Sequence, residues 1–351
     1  MKRILLVSPF PPVIGGVSVS VQRLYEHLRK EGYDVEKFNT QIGNMKYNRR
    51  VLRFIRYFSL PLLLVFRRRY DVIHFHVSHI IPKLYVSLWR QLFNKQTRFI
   101  ITIHGQVKDA FKTGLGYYSL KGFDRIICVK KGDRRDIPPE FISRTVEIPA
   151  FIPPYVLEEY NRLPDDLDSF LSRDSFKILV NGFIILNGSF RDLYGFRDAV
   201  ILLHKLREQG RNADLILIVL GTDNNREAQA FTRELKSYIT SNNLENNVLW
   251  IEGSSMELWP VLKRVNVLLR PTKTDGDAMS VREALYMKIP VISSNAVPRP
   301  SGTIVYRLNS EEDLRKKTVS LMDNYENYVS CIGNHNTNFA HKIIEQYENR
   351  L

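Results

Sequence analysis

The chain has 351 residues, 44% of them hydrophobic, enough to fill two medium cores, which excludes a disordered or fibrous class. Its 51 basic residues outnumber 37 acidic ones and leave a net charge of +14, so an anionic partner is expected: a phosphorylated substrate, an anionic membrane surface or another polyanion. Only Cys128 and Cys331 are present, far apart and without metal spacing, which excludes a disulfide framework and fits a reducing compartment.

The apolar run Ile4 to Val7 is too short for a signal peptide or a membrane span and reads as a first strand ending at Ser8. Val17, Val21, Leu24 and Leu28 then recur at helical spacing up to Gly32, which predicts an amphipathic helix with a glycine stop. Further short apolar runs at Asp71 to His76, Phe99 to His104 and Arg125 to Val129 complete the pattern of parallel strands joined by crossover helices. After Pro149, Pro153 and Pro154 comes an acidic stretch, Leu163 to Asp174, where a domain boundary is expected. The alternation restarts with strands at Phe176 to Val180, Leu215 to Leu220, Val248 to Ile251 and Val267 to Leu269. The expected division is 1–165, 175–332 and a closing helical stretch, 333–351, whose Ile343, Ile344 and Tyr347 share one face and would dock on the first domain. The expected fold class is α/β, two Rossmann-like doubly wound parallel sheets, and a cleft between two such sheets is the expected ligand site.

The most informative segment is Thr274 to Ser294, read as loop, helix and short strand after an apolar strand. Asp275 is placed in the loop and Glu283 in the first turn of the helix. Gly276 allows close approach of a ligand to the backbone, and the amides of Asp277, Ala278, Met279 and Ser280 at the helix start suit a diphosphate. Glu283 has two readings at this level: a carboxylate that accepts both hydroxyls of a ribose, or the partner of Ser280 in a capping box.

This segment, with Asp275, Gly276, Glu283, Ala284, Pro290 and Val291 in order, resembles the C-terminal signature of the retaining GT-B glycosyltransferases of family four. "PPVIGGVSVSVQRL" with Gly15 and Gly16, "DVIHFH" and "TIHG" match the N-terminal half of the same family in order and position. The resemblance implies that Glu283 binds the donor ribose and Asp275 lies beside the transferred sugar. It further implies that Gly276 to Ser280 contact sugar and phosphates through the main chain, and that Gly15 and Gly16 border phosphate and acceptor. His104 would sit near the reacting sugar. Transfer with retention and without a metal or other cofactor is implied as well. The sequence departs from the pattern in carrying Asp275 where Glu is usual, and Phe183 and Tyr194 where the family often has Arg and Lys on the diphosphate. Arg191, or in second place Arg270, is the candidate replacement cation for the leaving group.

Competing signals are weaker. Asp275-Gly276-Asp277 has the form of an Asp-x-Asp metal motif but lies inside the signature just described. His74, His76 and His79 lack an adjacent acidic or cysteine ligand, and Gly15-Gly16 lacks the dinucleotide glycine pattern. From Lys46 to Tyr70 the chain carries eight basic residues, no acidic ones and many apolar ones, which suggests either an interfacial contact with an anionic membrane or ordinary packing. No nucleic-acid module is recognised. The expected partners are a UDP- or GDP-sugar donor and a glycan or polyprenyl-linked acceptor of cell-surface polysaccharide synthesis. The expected place is the cytoplasm, with peripheral contact at the inner face of its membrane. A catalytically degenerate GT-B subunit and a GT-B sugar-nucleotide epimerase are the alternatives.

Overall fold

The computed structural model describes residues 2–11, 15–40, 70–77, 79–92, 96–105, 107–129, 136–154, 163–184, 192–220, 226–253, 256–275, 277–335 and 338–348. Two compact units result: Met1–Pro154 joined by Thr337–Leu351, and Tyr155–Asn336.

The first unit holds a six-stranded parallel sheet of β1 (Arg3–Ser8), β2 (Asp34–Asn39), β3 (Val72–Phe75), β4 (Arg98–Ile103), β5 (Arg125–Cys128) and β6 (Thr145–Glu147), in the order β2-β1-β3-β4-β5-β6. Consecutive residues of β1 serve opposite faces, as the two-residue repeat of a strand requires. Leu5 and Val7 pack with Ile73, Phe75, Phe99 and Ile101 on one face, while Ile4 and Leu6 pack with Val72, Ile100 and Ile127 on the other. Both faces are covered, so the central strands are apolar throughout. Helix α1 (Gly16–Lys30) lies on the second face through Val21, Leu24 and Leu28. The helices α2 (Ile80–Leu92), α3 (Val107–Phe111), α4 (Gly114–Leu120) and α5 (Pro139–Ile142) follow in this unit. The edge strands β2 and β6 were not legible as apolar runs: β2 buries only Val35, Phe38 and little else, because one side faces water.

The second unit has the same plan. Strands β7 (Phe176–Phe183), β8 (Ala213–Leu220), β9 (Val248–Glu252), β10 (Val267–Arg270), β11 (Val291–Ser294) and β12 (Ile304–Tyr306) form a parallel sheet in the order β12-β11-β10-β7-β8-β9. Helices α6 (Asp165–Leu171), α7 (Phe196–Glu208), α8 (Arg226–Ser241), α9 (Trp259–Leu262), α10 (Met279–Tyr286), α11 (Glu311–Asp323) and α12 (Tyr325–Ser330) belong to it. The acidic stretch at 163–174 falls inside this unit, after the division at Pro154 and Tyr155. The reason is local: Leu163, Leu167, Phe170 and Leu171 occur at helical spacing and pack against Leu179, Ile216 and Leu268, leaving Asp165, Asp166 and Asp168 outward.

The last helix, α13 (Ala340–Glu348), returns to the first unit, where Ile343 and Tyr347 join the core formed with Ile4, Leu24 and Val72. Among the described residues no helix is long and apolar enough to cross a membrane. The basic stretch Lys46 to Tyr70 lies, but for Tyr70, outside the described residues.

Candidate functional site

Each sheet reverses its order at one place: between β1 and β3 in the first unit, and between β7 and β10 in the second. At such a point the loops leaving the carboxyl ends of neighbouring strands diverge and open a crevice for a ligand. The signature residues collect at both reversals.

In the second unit, Arg270 ends β10 and Asp275 follows it by five residues. The Arg270 guanidinium grips the Asp275 carboxylate with two bonds, Nε to Oδ2 at 3.0 Å and Nη2 to Oδ1 at 3.3 Å. Arg299, from the loop after β11, donates Nη1 to Oδ2 of the same carboxylate at 3.1 Å and Nη2 to Thr272 Oγ1 at 2.8 Å. All three side chains are nearly inaccessible, at 10% exposure or less. Burial pushes the Asp275 carboxyl up, but the Arg270 and Arg299 charges outweigh it and hold the group below the usual carboxylate range. Among these three side chains, two guanidiniums on one carboxylate leave a surplus of one positive charge, in a place where charge is poorly screened. Tyr194 lies under Arg270, its ring centroid 4.7 Å from the guanidinium carbon, and helps to hold that cation in place. Beside it Asn181, near the end of β7, has a buried Oδ1 with no partner among the described residues. Arg191 and Gly276 lie outside the described residues.

Helix α10 begins a few residues further on. Its N-cap is Ala278, whose side chain supplies no cap, and Met279 and Ser280 are its first two residues. The N-cap side chain therefore accepts none of the first amides of the helix, an arrangement that suits an anion. The capping-box reading of Ser280 fails for the same reason: Ser280 is inside the helix, and Glu283 is its fifth residue, in the second turn. Glu283 is only 3% exposed, a rare place for a carboxylate. Asp277 is held by Arg282, whose Nε lies 2.7 Å from Oδ1 and 2.8 Å from Oδ2. Both carboxylates of the Asp-Gly-Asp sequence are thus engaged by arginines.

In the first unit, Gly15 is the N-cap of α1 in an extended conformation, and its amide donates to Ser18 Oγ at 2.9 Å. Gly16 opens the helix, and a Cβ there would meet nothing within 4 Å. His76 follows β3 and His104 follows β4, and the two rings meet with Nδ1 of His76 3.0 Å from Nε2 of His104. Burial lowers the His104 pKa to about 4, so the ring is neutral near pH 7. His74 is occupied on both nitrogens, by Tyr347 Oη at 2.7 Å and Thr102 Oγ1 at 2.8 Å, and serves the packing of the unit. A cavity of about 490 Å³ opens beside His76 and His104, lined also by His79, Lys83, Asp109 and Thr113.

Residues 14–146 match the family Glycosyltransferase Family 4, and residues 172–334 match Glycosyl transferases group 1. The chain belongs to the GT-B glycosyltransferases. The uncharacterized glycosyltransferase MJ1178 of Methanocaldococcus jannaschii is 20% identical over 98% of this chain and 94% of its own length. Among solved structures, Anabaena Alr3699/HepE in complex with UDP superposes with a TM-score of 0.67 at 12% identity, covering 99% of this chain and 100% of that one. The catalytic domain of starch synthase IV from Arabidopsis thaliana, bound to ADP and acarbose, gives 0.71 at 11% identity, with 99% of each chain covered. These likenesses support the GT-B fold of two parallel-sheet units, and the family matches make the protein a transferase of sugars.

Sequence reasoning placed Asp275, Glu283 and the α10 amides in one neighbourhood and missed Arg299. No local signal marks that arginine. It lies 24 residues after Asp275 and reaches it only because β10 and β11 are paired side by side.

Proposed function

We propose that this glycosyltransferase moves a sugar, with retention, from a UDP- or GDP-sugar to a glycan or polyprenyl-linked acceptor in the assembly of a cell-surface polysaccharide. The observation that carries the donor assignment is the surplus positive charge of Arg270, Asp275 and Arg299 near the start of α10, whose N-cap Ala278 has no side-chain acceptor for its amides. A nucleoside diphosphate supplies the matching negative charge, and that charge grows as the glycosidic bond breaks. The UDP and ADP named with the structural neighbours support the same donor class.

In this reading Glu283 accepts the ribose hydroxyls, and the amides of Asp277 to Ser280 hold the sugar and phosphates. Asp275 keeps both guanidiniums in place next to the transferred sugar. Asn181 Oδ1 accepts a hydroxyl. On the first unit, Gly15 and Gly16 border the phosphate, and neutral His104 bonds a hydroxyl of the reacting sugar. The acceptor oxygen bonds to the anomeric carbon on the face from which the diphosphate leaves, and its proton passes to the leaving phosphate oxygen, so the chemistry requires no metal. The enzyme works in the cytoplasm, at the inner face of the membrane that carries its acceptor.

Thermal unfolding with UDP, GDP and their sugars tests the donor site. Ligand at a hundred times its dissociation constant adds about 2.7 kcal/mol to the wild type. Glu283→Ala loses that gain. Equal stabilisation of both proteins, or of neither, removes the assignment.

A further inference from the structure

The cavity of the first unit contains a cation that the donor reading leaves unused. Lys83 is the fourth residue of α2, is only 6% exposed, and has no hydrogen bond or ion pair among the described residues. Burial of the side chain lowers its pKa, the expected response of an ammonium that has little water around it and no counter-ion among the described residues. Its position aggravates the cost, because the start of a helix carries partial positive charge and α2 has no acidic residue in its first turn. On the wall of the same cavity is His76, 4% exposed, whose Nδ1 is held by His104 and whose buried Nε2 has no partner among the described residues. Two unmatched polar groups therefore line one cavity of about 490 Å³. The acidic residue on its wall, Asp109, is exposed and makes no ion pair with Lys83. Both groups become satisfied by one ligand chemistry. An anion accepts hydrogen bonds from the ammonium, and it selects the His76 tautomer with a proton on Nε2, leaving Nδ1 to accept from His104.

We propose that this cavity is an anion subsite, with Lys83 Nζ and His76 Nε2 as its donors, and that it holds the phosphate of a phosphorylated acceptor. The word acceptor rests on the transferase reading above; the anion subsite does not. A mostly buried ammonium with no protein partner among the described residues is the arrangement expected of a group that meets an anion on binding.

The experiment is calorimetric titration of inorganic phosphate into the wild type, Lys83→Met and Lys83→Gln, each with UDP in excess so that phosphate does not enter the donor site. The wild type binds phosphate, both variants bind at least about tenfold more weakly, and Lys83→Met unfolds at no lower temperature than the wild type. Equal binding by all three proteins, or binding by none, overturns the proposal. A hexose monophosphate and pyrophosphate, run in parallel, separate a soluble sugar phosphate from a lipid diphosphate by which binds more tightly. An uncharged hexose that binds as well as its phosphate also overturns the proposal. Bound UDP without a Lys83-dependent phosphate site leaves the donor assignment standing and removes this one; a Lys83-dependent site without UDP binding does the reverse.

Discussion

The Tyr347 hydroxyl lies 2.7 Å from Nδ1 of His74, although 273 residues separate them in sequence. Through this bond the closing helix α13 is fastened to β3 in the centre of the first sheet. Both side chains are fully buried or nearly so, and burial lowers the His74 pKa to about 3, so the ring is neutral. Tyr347→Phe leaves a buried ring nitrogen without its partner, and the first unit should lose about 1–3 kcal/mol of stability. Labelling of the buried Cys128 thiol in urea, in a Cys331→Ser background, reads the loss in this unit alone.

The histidines of the first unit make its stability depend on acid. His74 and His104 have folded pKa values lowered to about 3 and about 4, and His76 lies well below its ordinary 6.5, in each case chiefly through burial. Below about pH 6.5 the unfolded chain takes up protons that the folded unit refuses, so the stability present above that pH is lost as pH falls toward 4. The slope is about 1.4 kcal/mol per pH unit for each histidine. His104→Gln should reduce the slope by one proton. Hydrogen exchange of the β3 and β4 peptides between pH 6.5 and 5 measures it, and an unchanged slope would show that His104 is not kept neutral.

Two glycines should separate folding from binding. Gly195 has φ +72°, and a Cβ there would lie 2.5 Å from the Pro271 carbonyl oxygen, so Gly195→Ala should cost at least about 2 kcal/mol. Gly16 faces open space at the start of α1, and Gly16→Ala should keep or raise stability by up to about 1 kcal/mol. Its cost should appear instead in the affinity for the nucleotide-sugar, because in the proposed site a methyl group would stand where the phosphate approaches the backbone. Thermal unfolding with and without donor distinguishes the two effects in one series.

Arg299 and Asp275 predict opposite consequences for charge. Arg299→Met cancels the surplus charge yet leaves Asp275 paired with Arg270, so UDP affinity should fall by about tenfold or more while the fold persists. Asp275→Asn strands two buried guanidiniums and should destabilise the second unit by about 3–5 kcal/mol in the absence of ligand. UDP should restore part of that loss, since the diphosphate supplies the missing negative charge. Unfolding curves of both variants, with and without UDP, check the pair of outcomes.

The central strands were legible because a strand buried on both faces is apolar at every position, as in Ile4, Leu5, Leu6 and Val7. The edge strands β2, β6 and β12 were not, since one side or both meet water and the runs are short. The acidic stretch at 163–174 misled in the opposite direction: its charges suggest a linker, while its four apolar residues dock it on the second core.

The loop and helix at Asp275 to Glu283 could be placed from sequence because their residues are close along the chain, and the spacing of a loop and one helical turn is nearly fixed. Whether Glu283 caps a helix depended on which residue begins α10, and strand β10 and its loop decide that. The partners of Asp275 and the solitude of Lys83 belong to the tertiary structure alone. Arg299 comes from a neighbouring strand's loop, and the absence of a counter-ion for Lys83 among the described residues is a property of what is folded around it. Sequence determines which groups exist and how neighbours along the chain can be arranged; packing determines which charges meet and which are left over, because charge energies depend on distance and burial that no local pattern records.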